Sequence, residues 1–253
     1  MKRIGLDAGH GTDSANGVPG LKEFDFTSSV VAIAKPWLER CGFFVSLLQP
    51  LNGVTTPLAD RTDKAFSDKC DFIVSVHADA NPNVDARGHW IFHWHNNTMG
   101  KSYAEIWNKH AKAILPNPSR GIWACGPTST WPNFHMVRVP ASKNIPAVLI
   151  EWGFMTNKDD LSLLQSVDFR RKCAEVLVRS MCEYYRVQYK EEVEPVKTDY
   201  DNHFAKDDIN FLMEQGILAK TVTYRPNDTI SRGEVAAVLA RVVRLVIKLI
   251  ANK

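Results

Sequence analysis

A chain of 253 residues with 45% hydrophobic content has room for a sizeable core, as one large domain or as a medium domain with a small companion. Its formal net charge is only +3 and no basic tract stands out, which argues against nucleic acid as a partner. The five cysteines form no C-x-x-C pair, so neither a disulfide framework nor a thiolate zinc site is expected, and they read as small buried apolar residues.

Met1-Lys2-Arg3 leads straight into the run Ile4-Gly5-Leu6-Asp7-Ala8, with no signal-type apolar segment before it. That run reads as a strand ending in a Gly-rich break that holds His10. After Glu23, apolar residues recur at helical spacing from Phe24 through Trp37 and Leu38, and Gly42 ends the helix. Phe43 to Leu48 reads as the next strand. Pro57-Leu58-Ala59-Asp60-Arg61 opens a second helix, and Phe72-Ile73-Val74-Ser75-Val76 is a strand running into His77. This alternation predicts an α/β fold: a central, mostly parallel twisted sheet flanked by helices.

Gly88 to His95 reads as a further strand, with His93 and His95 on one side as groove-lining or solvent-facing residues. Residues 102–115 read as a helix. The Pro- and Gly-bearing stretch 116–135 reads as an irregular surface loop and a wall of the substrate groove. Trp123, Trp131 and His135 in it are candidate substrate contacts. Ala147-Val148-Leu149-Ile150 is a strand running into Glu151, and residues 159–187 read as one helix.

The composition changes near residue 188. Residues 188–198 are charged, contain a proline and lack an apolar period, as a linker does. Residues 199–253 then read as a small helical domain. The apolar run at 235–250 is broken by Arg241, Arg244 and Lys248, which fits an amphipathic helix and not a membrane span. Its stripe is available for a homo-oligomer contact.

Three strands thus end in His10, His77 and Glu151. Ligands gather at the carboxyl ends of strands in open α/β sheets. Zinc suits imidazole and carboxylate ligands and, in catalytic sites, takes three of them. His10, Glu23 and His77 can supply such a set from separate loops, with Glu151 beside it as general base and then general acid.

These residues sit in a series of ordered motifs: Leu6-Asp7-Ala8-Gly9-His10-Gly11, Glu23, Val74-Ser75-Val76-His77-Ala78-Asp79-Ala80, and Leu149-Ile150-Glu151-Trp152-Gly153-Phe154-Met155-Thr156-Asn157. The series resembles that of the zinc-dependent N-acetylmuramoyl-L-alanine amidases of type 3. Leu58, Arg61, Gly88 and Arg120-Gly121 add to the likeness, which covers residues 1–187. The resemblance implies Zn2+ held by His10, Glu23 and His77, with Glu151 catalytic. It implies peptidoglycan as substrate, cut between N-acetylmuramic acid and L-alanine. Asn157 joins His135, Trp123 and Trp131 as a candidate substrate contact. The sequence departs from the family at residues 12–20 and at Asp79, where the family usually shows Asn.

The tail resembles a single S-layer homology module. Asp199-Tyr200-Asp201-Asn202-His203-Phe204, Arg225-Pro226-Asn227 and Ile230-Ser231-Arg232-Gly233-Glu234 carry the likeness. It implies secondary cell-wall polysaccharide as a partner, with Arg232 and Glu234 as wall contacts. A packing or dimerising helical appendage is the alternative. The expectation for the whole chain is a phage or prophage endolysin, cytoplasmic until the host membrane is breached and then at the wall, with neither membrane nor nucleic acid as partner. Two rivals stay open: a zinc peptidase on a related scaffold, and a wall-binding module with an inactive site.

Overall fold

The computed structural model describes residues 1–127 and 133–191, together with Ile209, Leu212, Val235, Leu239, Ala240, Val242 and Val243. Contacts divide the chain into two compact units, Met1–Glu191 and Glu192–Lys253. The seven described residues of the second unit are helical. Among the described residues, no helix is long and apolar enough to cross a membrane.

The strands are β1 (Arg3–Ala8), β2 (Gly17–Val18), β3 (Leu21–Lys22), β4 (Phe44–Leu47), β5 (Phe72–Asp79), β6 (His89–Trp94), β7 (Ser119–Cys125) and β8 (Ala147–Phe154). The helices are α1 (Glu23–Arg40), α2 (Leu58–Ser67), α3 (Thr98–Ile114), α4 (His135–Ser142), α5 (Lys158–Gln165) and α6 (Val167–Tyr185). Six strands form the main sheet in the order β4-β1-β5-β8-β6-β7. β4, β1, β5 and β8 are mutually parallel; β6 runs antiparallel to β8, and β7 parallel to β6. The expected mostly parallel α/β sheet is present.

Both faces of this sheet are covered, which is why its central strands read as unbroken apolar runs. Successive side chains point to opposite faces. Leu6, Val74, Val76, Val148 and Ile150 therefore pack into one cluster with α1, α3 and α6, through Val30, Trp37, Trp107, Phe169 and Leu177. Ile73, Ala147 and Leu149 enter a second, smaller cluster with Ala65 of α2 and Met136 and Val137 of α4. All five cysteines are buried and unpaired, as expected.

The structure corrects several expectations. The stretch 116–135 is not wholly irregular, because β7 lies within it. β7 pairs on one side only, and half-exposed or exposed residues replace an apolar run, so its periodicity is weak. His135 is the first residue of α4 and not part of a loop. The single helix expected over 159–187 is two helices. Ser166 lies between them and accepts from Phe169 N at 3.5 Å, a serine cap that starts α6. The first residues of the expected linker at 188–198 belong to the first unit. The Trp37 indole donates to Lys190 O at 2.7 Å, and Arg179 lies 4.0 Å from the Tyr189 ring centre. His93 is buried on β6, its ring bonded to Trp94 O at 2.9 Å, while His95 lies beyond the strand.

Candidate active site

Period-two alternation places the polar strand ends. In β5, Ile73, Ser75 and His77 share the second face; in β8, Ala147, Leu149 and Glu151 do. Register then pairs His77 directly with Glu151 across the two neighbouring strands. On that face α2 and α4 leave a cleft of about 410 Å³ at the carboxyl end of the sheet. His10, His77 and Glu151 line it, with Leu58 from α2, His135 from α4 and Phe134 just before α4.

Glu23 reaches the same place from the other side of the sheet. The short β2–β3 hairpin turns through Pro19-Gly20, with Gly20 at φ +90°, and delivers the chain to the first turn of α1. Glu23 stands there, where a helix dipole favours a carboxylate. Its Oε1 lies 2.9 Å from His77 Nδ1 and accepts from Ala78 N at 3.1 Å. Its Oε2 lies 2.8 Å from His10 Nε2. The ligating atoms of His10, Glu23 and His77 all fall within 4.8 Å of one another. Gly9 is required beside them, because a Cβ there would stand 2.4 Å from the His77 ring.

Electrostatics separate the two glutamates. Burial alone would raise the Glu23 carboxyl, but hydrogen bonds from His10 and His77 and the charge of both rings hold it down at about 2. Burial acts against the charge on His77, and the Glu23 hydrogen bond and charge outweigh it and raise that ring. Glu151 moves the other way. Burial, then the negative charges of Glu23 and Asp79, push its carboxyl well above the ordinary range. Its Oε2 is buried and meets no protein donor among the described residues. A carboxylate held in reserve with a raised pKa is suited to general acid–base work. Burial, first of all, also raises Asp79.

Two imidazoles and one carboxylate are a donor set that suits a catalytic zinc ion, and their mutual contacts leave them drawn to a common point.

A buried ion pair holds the His10 loop, with Arg61 in the structural ion-pair role its sequence position suggests. Asp7 and Arg61 are both buried, 2.7 Å apart. Arg61 also donates to Ala8 O at 3.0 Å, to His10 O at 2.8 Å and to Thr56 O at 2.8 Å. Ser75 Oγ donates to the other Asp7 oxygen at 2.6 Å. His10 adopts φ +72°, a strained conformation for a residue with a side chain, and Arg61 grips its carbonyl. The signal available in the sequence was Asp7 inside an apolar strand, a charge that burial permits only with a partner.

The other expected contacts divide. His135 lines the cleft. Trp123 sits on β7, its indole donating to Arg120 O at 2.9 Å, and is not among the residues lining the cleft. Asn157 Oδ1 caps α5 by accepting from Asp159 N and Asp160 N, and its Nδ2 donates to Val84 O at 2.7 Å. Those bonds use the side chain in structure. Arg120 lies over the Trp90 and Phe154 rings, at 4.6 and 5.1 Å. Trp131, Arg232 and Glu234 lie outside the described residues.

Comparison with known proteins bears on this site. Residues 4–183 match the family described as N-acetylmuramoyl-L-alanine amidase, and residues 198–236 match the S-layer homology domain. The chain is 25% identical over 186 residues to the N-acetylmuramoyl-L-alanine amidase LytC of Bacillus subtilis (strain 168), which covers 72% of this chain and 35% of LytC. It is 30% identical over 192 residues to the endolysin of Bacillus phage SPP1, covering 75% of this chain and 68% of that protein. The chain therefore spans about a third of the length of LytC and about two thirds of that of the endolysin. In fold it is similar to the catalytic domain of CwlV from Bacillus (Paenibacillus) polymyxa var. colistinus, with a TM-score of 0.66 and 24% identity over 74% of this chain and 100% of that one.

Proposed function

The chain belongs to the N-acetylmuramoyl-L-alanine amidase family through residues 4–183, and from that membership we propose that it is a peptidoglycan hydrolase of the endolysin kind. The bond cut is the amide between the lactyl group of N-acetylmuramic acid and L-alanine. The meeting of His10, His77 and Glu151 in one cleft, with the Glu23 carboxylate against both imidazoles, supports this reading most directly. His10 and His77 through ring nitrogens and Glu23 through its carboxylate would hold Zn2+. When bound, zinc supplies Lewis acidity toward the substrate carbonyl and acidifies water.

The chain's own groups do the rest. Glu151 takes a proton from the attacking water and returns it to the departing L-alanine nitrogen. Arg61 and Asp7 hold the His10 loop in position. The apolar cleft wall of Pro57, Leu58, Phe134 and Met136 keeps water away from the reacting groups. The S-layer homology match supports a second contact, to secondary cell-wall polysaccharide, with Arg232 and Glu234 as its candidates.

Digestion of purified muropeptides with and without chelator tests the proposal. Free amino groups on L-alanine should appear, disappear on chelation and return with zinc. A product set with cut peptide bonds and an intact sugar–alanine amide would replace the amidase by a peptidase.

A further inference from the structure

The cleft holds a third imidazole, which the chemistry above does not use. His135 opens α4 and lines the same cleft as His10, His77 and Glu151. Its Nε2 lies 3.3 Å from Thr62 Oγ1 on α2. A hydroxyl carries one hydrogen, and the Thr62 hydroxyl has a shorter partner for it, the Ala59 carbonyl at 2.9 Å. Thr62 Oγ1 is then left to accept, so Nε2 carries the ring proton. In a neutral imidazole the other nitrogen, Nδ1, is an acceptor. Burial, chiefly, and the nearby Arg138 charge lower the His135 pKa, which keeps the ring neutral. Of the residues lining the cleft, Pro57, Leu58, Phe134 and Met136 have no side-chain donor, and among the described residues the donors Thr55, Thr56 and Arg61 make no hydrogen bond to Nδ1. A lone pair in such a wall is matched by a donor that the ligand brings.

Resting on the amidase reading, we propose that His135 Nδ1 accepts a hydrogen bond from a backbone amide N–H of the stem peptide and so fixes the position of the peptide against Glu151. His135 is a substrate-positioning residue and moves no proton in the reaction. A peptide in extended form offers such N–H donors on alternate sides, so one of them can meet a fixed acceptor while its side chains rest on the apolar wall.

The test uses the full zinc-loaded chain with Glu151→Gln to suppress turnover, and calorimetric binding of a muramyl peptide. Adding His135→Ala or His135→Gln should weaken binding about 5–10-fold, the worth of one hydrogen bond. Gln reproduces only the Thr62 side of the ring and keeps that packing if Ala unfolds. His135→Asn, whose Oδ1 stands near the Nδ1 position, should bind within about 3-fold of the parent. A peptide series with single amides replaced by esters should show one position whose replacement costs the parent a similar factor and costs the His135→Gln protein nothing further. Equal affinity of parent and His135→Gln, or no such position, overturns the proposal. So does a loss that appears only when the sugar acetamido N–H is removed. Amine release by the wild-type chain is scored separately: its absence sinks the amidase reading, while the ester series still tests peptide recognition.

Discussion

On the sheet face covered by α1, α3 and α6, the central strands present Leu6, Val74, Val76, Val148 and Ile150, all buried against other apolar side chains. Between them along the same strands, facing α2 and α4, stand Asp7, Ser75, His77 and Glu151. The strands are shared, so the difference comes from what covers them. Long helices close the first face completely. Two short helices close only part of the second, and polar groups occupy the end left open. One face supplies the burial that stabilises the fold, and the other spends part of that stability on charged groups held ready for chemistry.

The sharpest way to break this division is at the open end. Glu151→Gln should lower kcat about 10²–10⁴-fold, the usual worth of a general acid–base group, measured as amine release. Zinc content should be unchanged. The same substitution should stabilise the metal-free protein at pH 7. Glu151 has a raised folded pKa, so its burial costs stability once the pH exceeds the ordinary 4.5, and the amide removes that cost. A denaturant melt reads this, and a destabilised Glu151→Gln protein would contradict the assigned burial.

The next largest effect belongs to the anchor beneath the site. Arg61→Met leaves Asp7 charged and buried, which should cost about 3–5 kcal/mol in urea unfolding. Combining it with Asp7→Asn should restore much of that loss, while zinc affinity stays weakened because the His10 carbonyl is no longer held.

Matched truncations sharpen the contrast between faces. Leu177→Ala and Leu149→Ala each remove a buried leucine and should each cost about 2–5 kcal/mol. Leu177 lies on the closed face, so turnover per folded molecule should survive. Leu149 lines the cleft, so KM should rise as well. Equal kinetic effects would erase the distinction.

A chelated sample should show two opposing pH limbs. Glu23, held at about 2 against an ordinary 4.5, contributes stability that is present above 4.5 and lost as pH falls toward 2. His77, raised above an ordinary 6.5, contributes stability that is full below 6.5 and lost as pH rises through its folded value. Denaturant midpoints should therefore peak between these ordinary values, and Glu23→Gln should flatten both limbs. The smallest effect is expected away from the site: Asn157→Ala should cost about 0.5–2 kcal/mol as a lost helix cap, with KM unchanged. A raised KM would return Asn157 to the substrate.

How far these features were legible in the chain depended on the range of the interactions behind them. The runs ending at Ala8, Val76 and Ile150 announced buried strands, because burial on both faces demands apolar residues without a break. The helices at 23–40 and 58–67 were visible through their apolar spacing and turn residues. β7 was hidden because an edge strand needs no apolar run, and α4 because Pro140 and a mixed composition weaken its period. Asn157 looked like part of a site motif, yet its position ahead of Asp159 and Asp160 makes it a cap.

By itself the sequence determined which residue types stand at the ends of which strands, since alternation and helical spacing are local properties written along the chain. It also carried the family likeness of residues 4–183. Only the tertiary structure decided that His77 pairs with Glu151, that Glu23 arrives from the opposite side of the sheet, that Arg61 grips the His10 carbonyl and that His135 shares their cleft. The contacts of Glu23 with His77, of Arg61 with His10 and of His135 with Thr62 join residues 54, 51 and 73 apart in the chain. Strand order and register bring them together, and no local pattern encodes either.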